Sequence, residues 1–290
     1  MMELRAVGLL SPGDMGHIVG QVLIEKGMPV LTCLEGRSKR TRQLARTAGI
    51  QAVPTYEDLV RNTDIILSIL VPAQAENAAR KAATALRTTG ETTVYVDCNA
   101  VSPATAETLG ALITGVGSRY VSASIIGPPP RREGTTRFYA SGADVKAFEA
   151  LTEYGLDIRP IGSELGQAKG IKMAYGALTK GIAAIATELL VAAQRMGLYQ
   201  ALIDELTGSQ ATLLKRIERT LLRMPTKSRR WVGEMEEIAA TFDAVGLTAR
   251  IYQGAADMYR FVGQTPLADE TPETLDRDRT LAQVIEILSL

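Results

Sequence analysis

Three observations predict an α/β domain with a mostly parallel, doubly wound sheet, followed by an all-helical domain. Short apolar runs alternate with helical stretches through the first half of the 290 residues, as in parallel β-α-β units with helices on both sheet faces. A turn holding Gly13 and Gly16 joins the first apolar run to the first helical stretch. After Ile161 the alternation stops and helical periodicity takes over. These changes place the two domains at 1–162 and 163–290.

The elements follow in order. Residues 4–10 form a short, largely apolar run, which reads as a buried strand. A helix over 16–27 and a strand over 29–34 complete the first β-α-β unit. Strands at 50–53, 64–70 and 92–97 then alternate with helices near 39–48, 56–61, 73–88 and 103–114. The strands at 119–125, 136–141 and 157–161 are separated by less helix, one stretch near 143–154, so they extend the sheet in mixed fashion. From Ser163 to about Arg195 the chain reads as one helix, roughly 50 Å long at 1.5 Å per residue. Further helices are expected near 199–206, 209–223, 230–245, 248–262 and 272–288.

Composition narrows the function. Hydrophobic residues make up 46% and charged residues 22%, close to the globular average. Lys+Arg and Asp+Glu both number 32, and a balanced charge argues against nucleic-acid or membrane-surface partners. The apolar runs are broken well short of a membrane span, and Glu3 and Arg5 interrupt the early apolar stretch that a signal peptide would need. Cys33 falls in an expected strand and Cys98 at the end of one, and both read as small core residues, not as a disulfide or metal pair. With His17 the one histidine, no imidazole cluster for a metal is expected. A cytoplasmic enzyme is the expectation.

The turn Ser11-Pro12-Gly13-Asp14-Met15-Gly16 carries the chemistry of this first half. It is a G-x-G-x-x-G pattern with Ser11 in the first glycine's place. Glycines let the backbone approach a pyrophosphate, whose charge sits on free N–H groups at the helix start. Glu35, about 20 residues on, ends the second strand where an acid can hold the ribose hydroxyls of NAD. Arg37 and Ser38, with Arg40 behind them, can instead bind the 2′-phosphate of NADP. Ser38 reads equally as a helix N-cap with solvated cations after it. NADP is favoured, with NAD as the alternative.

Taken together these motifs resemble the β-hydroxyacid dehydrogenases related to 6-phosphogluconate dehydrogenase, over essentially the whole chain. That family opens with G-x-G-x-M-G, which the 11–16 turn matches except at Ser11. Its fourth strand ends in a Leu-Pro or Val-Pro step bordering the cofactor; here the step is Leu70-Val71-Pro72. Its D-x-S-T-x-x-P stretch becomes Asp97 to Pro103, with Asn99 and Ala100 replacing the substrate-contacting pair. Its D-A-P-V-S-G-G loop becomes Ser122 to Pro128 and keeps the first glycine, Gly127. Its helix pattern G-x-x-x-x-x-K-x-x-N keeps Gly166 and Lys172, while Tyr175 replaces the asparagine. The stretches Lys172 to Gly181 and Arg230 to Ala239 are similar to a side branch whose C-terminal domain has no assigned function. The resemblance implies an NAD(P)-dependent oxidoreductase whose substrate differs from the family's own, and a homodimer through the helical domain.

Lys172 is the expected general acid/base, because it lies in an apolar stretch of the long helix and burial eases proton transfer from an ammonium. The alternative is a lysine snorkelling from a half-buried helix. Tyr175, at i+3, shares its face and reads either as a catalytic hydroxyl or as a packed aromatic. Asn99, at a strand's C-terminal end, is expected to offer its amide to the substrate, or else to form a turn before the helix at Pro103. Lys169 is expected to reach solvent or a cofactor phosphate, and Lys180 to lie too far away. Arg131 and Arg132, after three prolines, either hold a substrate carboxylate or sit on a solvated loop. Arg230, Trp231 and Glu234 belong to the helical domain and suit a dimer interface.

The expected activity is an NAD(P)-dependent dehydrogenase or reductase acting on a small hydroxy acid or its carbonyl form. One alternative is an NADPH-dependent imine reductase, which shares the architecture but usually lacks the helix lysine. Another, of a different class, is a regulatory protein that binds the nucleotide without turnover.

Overall fold

The computed structural model describes residues 4–271 and 273–290. In the first half the elements run β1 (Val7–Leu10), α1 (Gly16–Glu25), β2 (Val30–Cys33), α2 (Lys39–Thr47), β3 (Gln51–Val53), α3 (Tyr56–Arg61), β4 (Ile65–Ser68) and α4 (Pro72–Thr89). They continue with β5 (Val94–Asp97), α5 (Pro103–Thr114), β6 (Arg119–Ile126), β7 (Arg137–Ser141), α6 (Val145–Glu149) and β8 (Asp157–Gly162). The long helix α7 spans Leu165–Arg195. After it come α8 (Tyr199–Ser209), α9 (Ala211–Leu221), α10 (Ser228–Ala244), α11 (Arg250–Gly263) and α12 (Leu281–Ser289).

The eight strands form one sheet in the order β3-β2-β1-β4-β5-β6-β7-β8. β1 to β6 pair in parallel, as crossover helices require; β7 runs antiparallel to β6 and parallel to β8. The mixed extension arises because the segment between β6 and β7 holds no helix to carry a crossover. Strand alternation sends Val7, Leu9, Ile65, Leu67, Val94 and Val96 to one core layer. It sends Leu10, Ile66, Tyr95 and Tyr120 to the other, beneath the alanine face of α4. Burial on both sides explains why these strands read as continuous apolar runs.

Three expectations are revised. The helix expected near 143–154 is a short α6 followed by a 3-10 turn over Ala150–Tyr154. The helix expected over 272–288 is confined to α12, because Thr280 and Gln283 form a reciprocal capping box there; its part at Pro272 lies outside the described residues. The third concerns α7, which is long and apolar enough by composition to cross a membrane, although the apolar runs had read as too short. Its most apolar window is 56% buried in the fold, as in a core helix.

The chain divides into compact units after Lys172, inside α7, not at 162/163 as first placed. The first turns of α7 are bonded to the sheet: Ser141 Oγ donates to Leu165 O at 3.1 Å and accepts from Ala168 N at 3.0 Å. In the second unit, α10 and α11 pair through aromatic contacts, Trp231 on Tyr259 and Phe242 on Tyr252. Lys180 forms a 2.7 Å ion pair with the buried Glu234 and lies over the Trp231 ring, so the two stretches that resembled the side branch meet there.

Candidate active site

The glycine-bearing turn leaves β1 at the point where strand order reverses, with β2 on one side and β4 on the other. In open α/β sheets this switch point is where ligands bind, outside the strands' carboxyl ends. Ser11 adopts φ +63°, the left-handed conformation a glycine takes without cost, so the serine keeps the backbone path of the pattern it departs from. Gly13 N donates to Ser11 O at 2.7 Å. A Cβ on Gly16 would lie 2.8 Å from Ser11 O, so that position needs glycine for the turn to close. A Cβ on Gly13 would meet no protein atom nearer than 4.0 Å. Space beside Gly13 is thus left open by the fold itself. α1 starts after Met15 with no side-chain cap, with His17 N on Gly13 O at 3.0 Å; an uncapped helix start of this kind favours an anion. Backbone, open cradle and uncapped helix fit a dinucleotide pyrophosphate.

Asp14, in the same turn, pairs with Arg40 of α2 at 2.6 Å. Pro12 and Met15 complete the turn. At the end of β2, Glu35 is exposed. The half-buried Tyr56 hydroxyl is pushed up in pKa by burial and pulled back by the neighbouring Arg37, which bonds it. Ser38 Oγ accepts from Thr41 N at 3.2 Å, so it is the N-cap of α2. Beyond β4, Pro72 opens α4 and the exposed Val71 precedes it.

Asn99 departs from its expected role. It is buried, and its side chain accepts from Leu70 N at 2.5 Å and donates to Ser68 Oγ at 2.9 Å and Asp97 Oδ1 at 2.5 Å. An amide with donors and acceptor all engaged inside the protein does not face a substrate. It ties the end of β5 to the end of β4, at the Leu70-Val71-Pro72 step.

Lys169 is the larger correction. Expected at solvent or at a phosphate, it is 0% exposed. Its Nζ donates to Asp97 O at 2.8 Å, Asn99 O at 2.9 Å and Ala123 O at 2.7 Å, and pairs with Asp97 Oδ2 at 3.0 Å. Tyr120 Oη also donates to Asp97 Oδ2, at 3.1 Å. Residues at i and i+3 share a helix face, and the apolar sheet layer below it would exclude an unpaired ammonium; the buried Asp97 supplies the partner. Nearby Cys98 is a core thiol whose pKa burial pushes up to about 12, which makes it inert as a nucleophile. Burial and Asp97 likewise hold the Tyr95 and Tyr120 hydroxyls far above the usual phenol range, so neither suits proton donation near neutral pH.

Lys172, one turn further, is only half-buried, and its Nζ donates to Ile125 O at 2.5 Å. Lys169 and Lys172 of α7 therefore address alternate carbonyls of β6. Tyr175 follows on the helix with its side chain 48% exposed. After Ile126 the loop turns at Gly127, φ +132°, where a Cβ would collide with Thr135 O. Thr136 Oγ1 latches the loop to Pro128 O at 2.5 Å, and Arg131 and Arg132 stand exposed at its tip.

A family model described as the NAD binding domain of 6-phosphogluconate dehydrogenase matches residues 6–154. The chain belongs to this family. A second model, a domain of unknown function (DUF1932), matches residues 193–262, within the helical region. An uncharacterized 28.5 kDa protein from Methanothermus fervidus is 31% identical over 204 residues, 70% of this chain and 77% of that protein. The solved structure of MTH1747, a conserved protein of unknown function with structural similarity to 3-hydroxyacid dehydrogenases, is 31% identical. It covers 89% of this chain and 99% of its own, with a TM-score of 0.64. The 3-hydroxyisobutyrate dehydrogenase of Mycobacterium tuberculosis, solved with L-serine, covers 99% of this chain and 100% of its own. At 17% identity and a TM-score of 0.68 it shows a shared fold.

Proposed function

We propose that this chain is a cytoplasmic NADP-dependent oxidoreductase acting on a small hydroxy acid or its carbonyl form, with Lys172 as general acid/base. The observation that carries the proposal is a half-buried ammonium at the end of β6, on a family scaffold whose dinucleotide turn is intact in backbone though not in sequence. The 11–16 turn and the Leu70-Val71-Pro72 step would hold the dinucleotide. Bound there, its nicotinamide supplies hydride-transfer chemistry. Lys172 gives its proton to the substrate oxygen during reduction, or takes one during oxidation. An ammonium carries three N–H groups, so one can reach the substrate oxygen while another holds Ile125 O. Lys169 cannot substitute, since its three N–H groups are spent on buried carbonyls and its charge on Asp97. Asn99 acts as a positioning residue, and Tyr175 is exposed enough to meet a substrate without a large rearrangement.

The reading is tested by following NADPH absorbance with a panel of small 2- and 3-hydroxy acids, L-serine included because a fold relative was solved with it. Turnover of any member, lost in Lys172→Ala, supports the assignment. Turnover of cyclic imines alone would replace it with the imine-reductase reading. Tight NADPH binding without turnover on either panel would favour the regulatory one.

For the cofactor, Arg37 and Ser38 beside Arg40 favour a 2′-phosphate over the ribose contacts of Glu35. Arg37→Ala should weaken NADP binding by about 1–3 kcal/mol, the range of a hydrogen bond to a charged group, and leave NAD nearly unchanged in calorimetry. Equal losses for both would return the choice to Glu35.

A second copy of the chain is the expected partner. Leu178 and Ile185 stand 57% and 56% exposed on α7, an apolar stripe that supports an interface there. Light scattering should show a dimer, and Leu178→Glu with Ile185→Glu should yield monomers; a wild-type monomer at micromolar concentration would refute the interface.

A further inference from the structure

We propose that Lys169 is a positioning residue whose ammonium serves as a permanently resident cation, setting the ends of β4 and β5 and the body of β6 at once. The proposal rests on the dinucleotide-binding reading above. Four oxygens surround Nζ at 2.7 to 3.0 Å: the carbonyls of Asp97, Asn99 and Ala123, and the Asp97 carboxylate. Rings of carbonyls replace the hydration shell of a monovalent cation in the same manner. Here the cation is tethered.

Stability alone does not explain the arrangement. A buried ion pair gains little over well-packed neutral residues, because desolvation of both charges offsets their attraction. What the pair does supply is geometry. The carbonyls of Asp97 and Asn99 flank Cys98, and holding both on one ammonium curls the 97–99 turn. That curl brings the Asn99 side chain onto Leu70 N and Ser68 Oγ. The end of β4, which runs into the step bordering the cofactor, is therefore clamped through Asn99 by Lys169. The third carbonyl, Ala123 O, lies two residues before Ile125, whose carbonyl receives Lys172. Asp97 is satisfied in turn by Asn99 N, Asn99 Nδ2, Tyr120 Oη and Lys169. One cation thus places strands β4, β5 and β6 relative to one another.

The experiment compares wild type, Lys169→Ala and the double variant Asp97→Asn/Lys169→Met in full-length protein. The double variant removes both charges together, so no buried charge is left unpaired, and it is expected to melt close to wild type. Its Leu70 amide should exchange with deuterium about tenfold faster, the worth of the lost bond to Asn99, while the Ile66 and Leu67 amides stay protected. NADPH affinity, read from fluorescence, should fall about tenfold by the same bond. Lys169→Ala should weaken NADPH binding in choline chloride and recover in ammonium chloride, whose cation fits the cage, but not in tetramethylammonium chloride. If that variant does not fold, the double variant decides. Wild-type Leu70 protection and NADPH affinity in the double variant would overturn the proposal, as would the absence of ammonium rescue in a folded Lys169→Ala. A wild-type chain that binds neither nicotinamide cofactor would refute the function proposed above, and Leu70 exchange would still decide the positioning role.

Discussion

Lys172→Ala is expected to lower turnover by about 10²–10⁴, the usual worth of a positioned acid or base, with NADPH affinity little changed. The asymmetry follows from where the side chain sits. Its ammonium reaches Ile125 O at the end of β6, while the cradle residues lie after β1 and β4. Loss of the ammonium removes an interaction made in the transition state, so kcat and kcat/KM should fall together. Lys172→Arg should not restore the rate, because guanidinium does not release a proton near neutral pH. Steady-state kinetics on the active substrate, with fluorescence titration of NADPH, read both effects. Unchanged kcat in Lys172→Ala would defeat the mechanism. Tyr175→Phe would then be the decisive variant, and its collapse would move the imine-reductase reading ahead.

The parts of the fold governed by short-range rules were legible in the chain. Strands buried on both faces show as apolar runs, and the β1 turn shows through Gly13 and Gly16. The long α7 was equally plain, whereas Ser38, read first as a phosphate ligand, is the N-cap of α2. What escaped was pairing across distance. Nothing near Lys169 in sequence announces that Asp97, 72 residues away, is buried with it. A usable signal did exist: an acid at the end of an otherwise apolar strand must meet a cation once buried. A lysine within the apolar first turns of α7 was the available partner. Asn99 was misread for the same reason, since its place in a family motif suggested substrate while its bonding is set by Ser68 and Leu70 on another strand. Domain division shifted into α7 because Ser141 and the two lysines bind its first turns to the sheet, contacts that periodicity does not carry.

Gly13→Val separates cofactor binding from folding more cleanly than any other substitution in the turn. Gly13 does not occupy the left-handed region, and a Cβ there would find Ser11 O at 4.0 Å and nothing closer. Valine therefore costs the folded protein little, and the melting temperature should stay within a few degrees of wild type. Its branched side chain instead fills the space on which the turn's N–H groups open. Loss of about two charge-assisted hydrogen bonds to a pyrophosphate, about 1.5–3 kcal/mol each, predicts NADPH binding weaker by on the order of 10²–10⁴-fold. Gly16→Val provides the contrast. Its Cβ would press to 2.8 Å from Ser11 O, so that variant should lose both stability and affinity. Calorimetric titration alongside thermal melting reads the two cases. If Gly13→Val binds NADPH as tightly as wild type, the pyrophosphate does not lie on this turn, and the cofactor assignment falls with it.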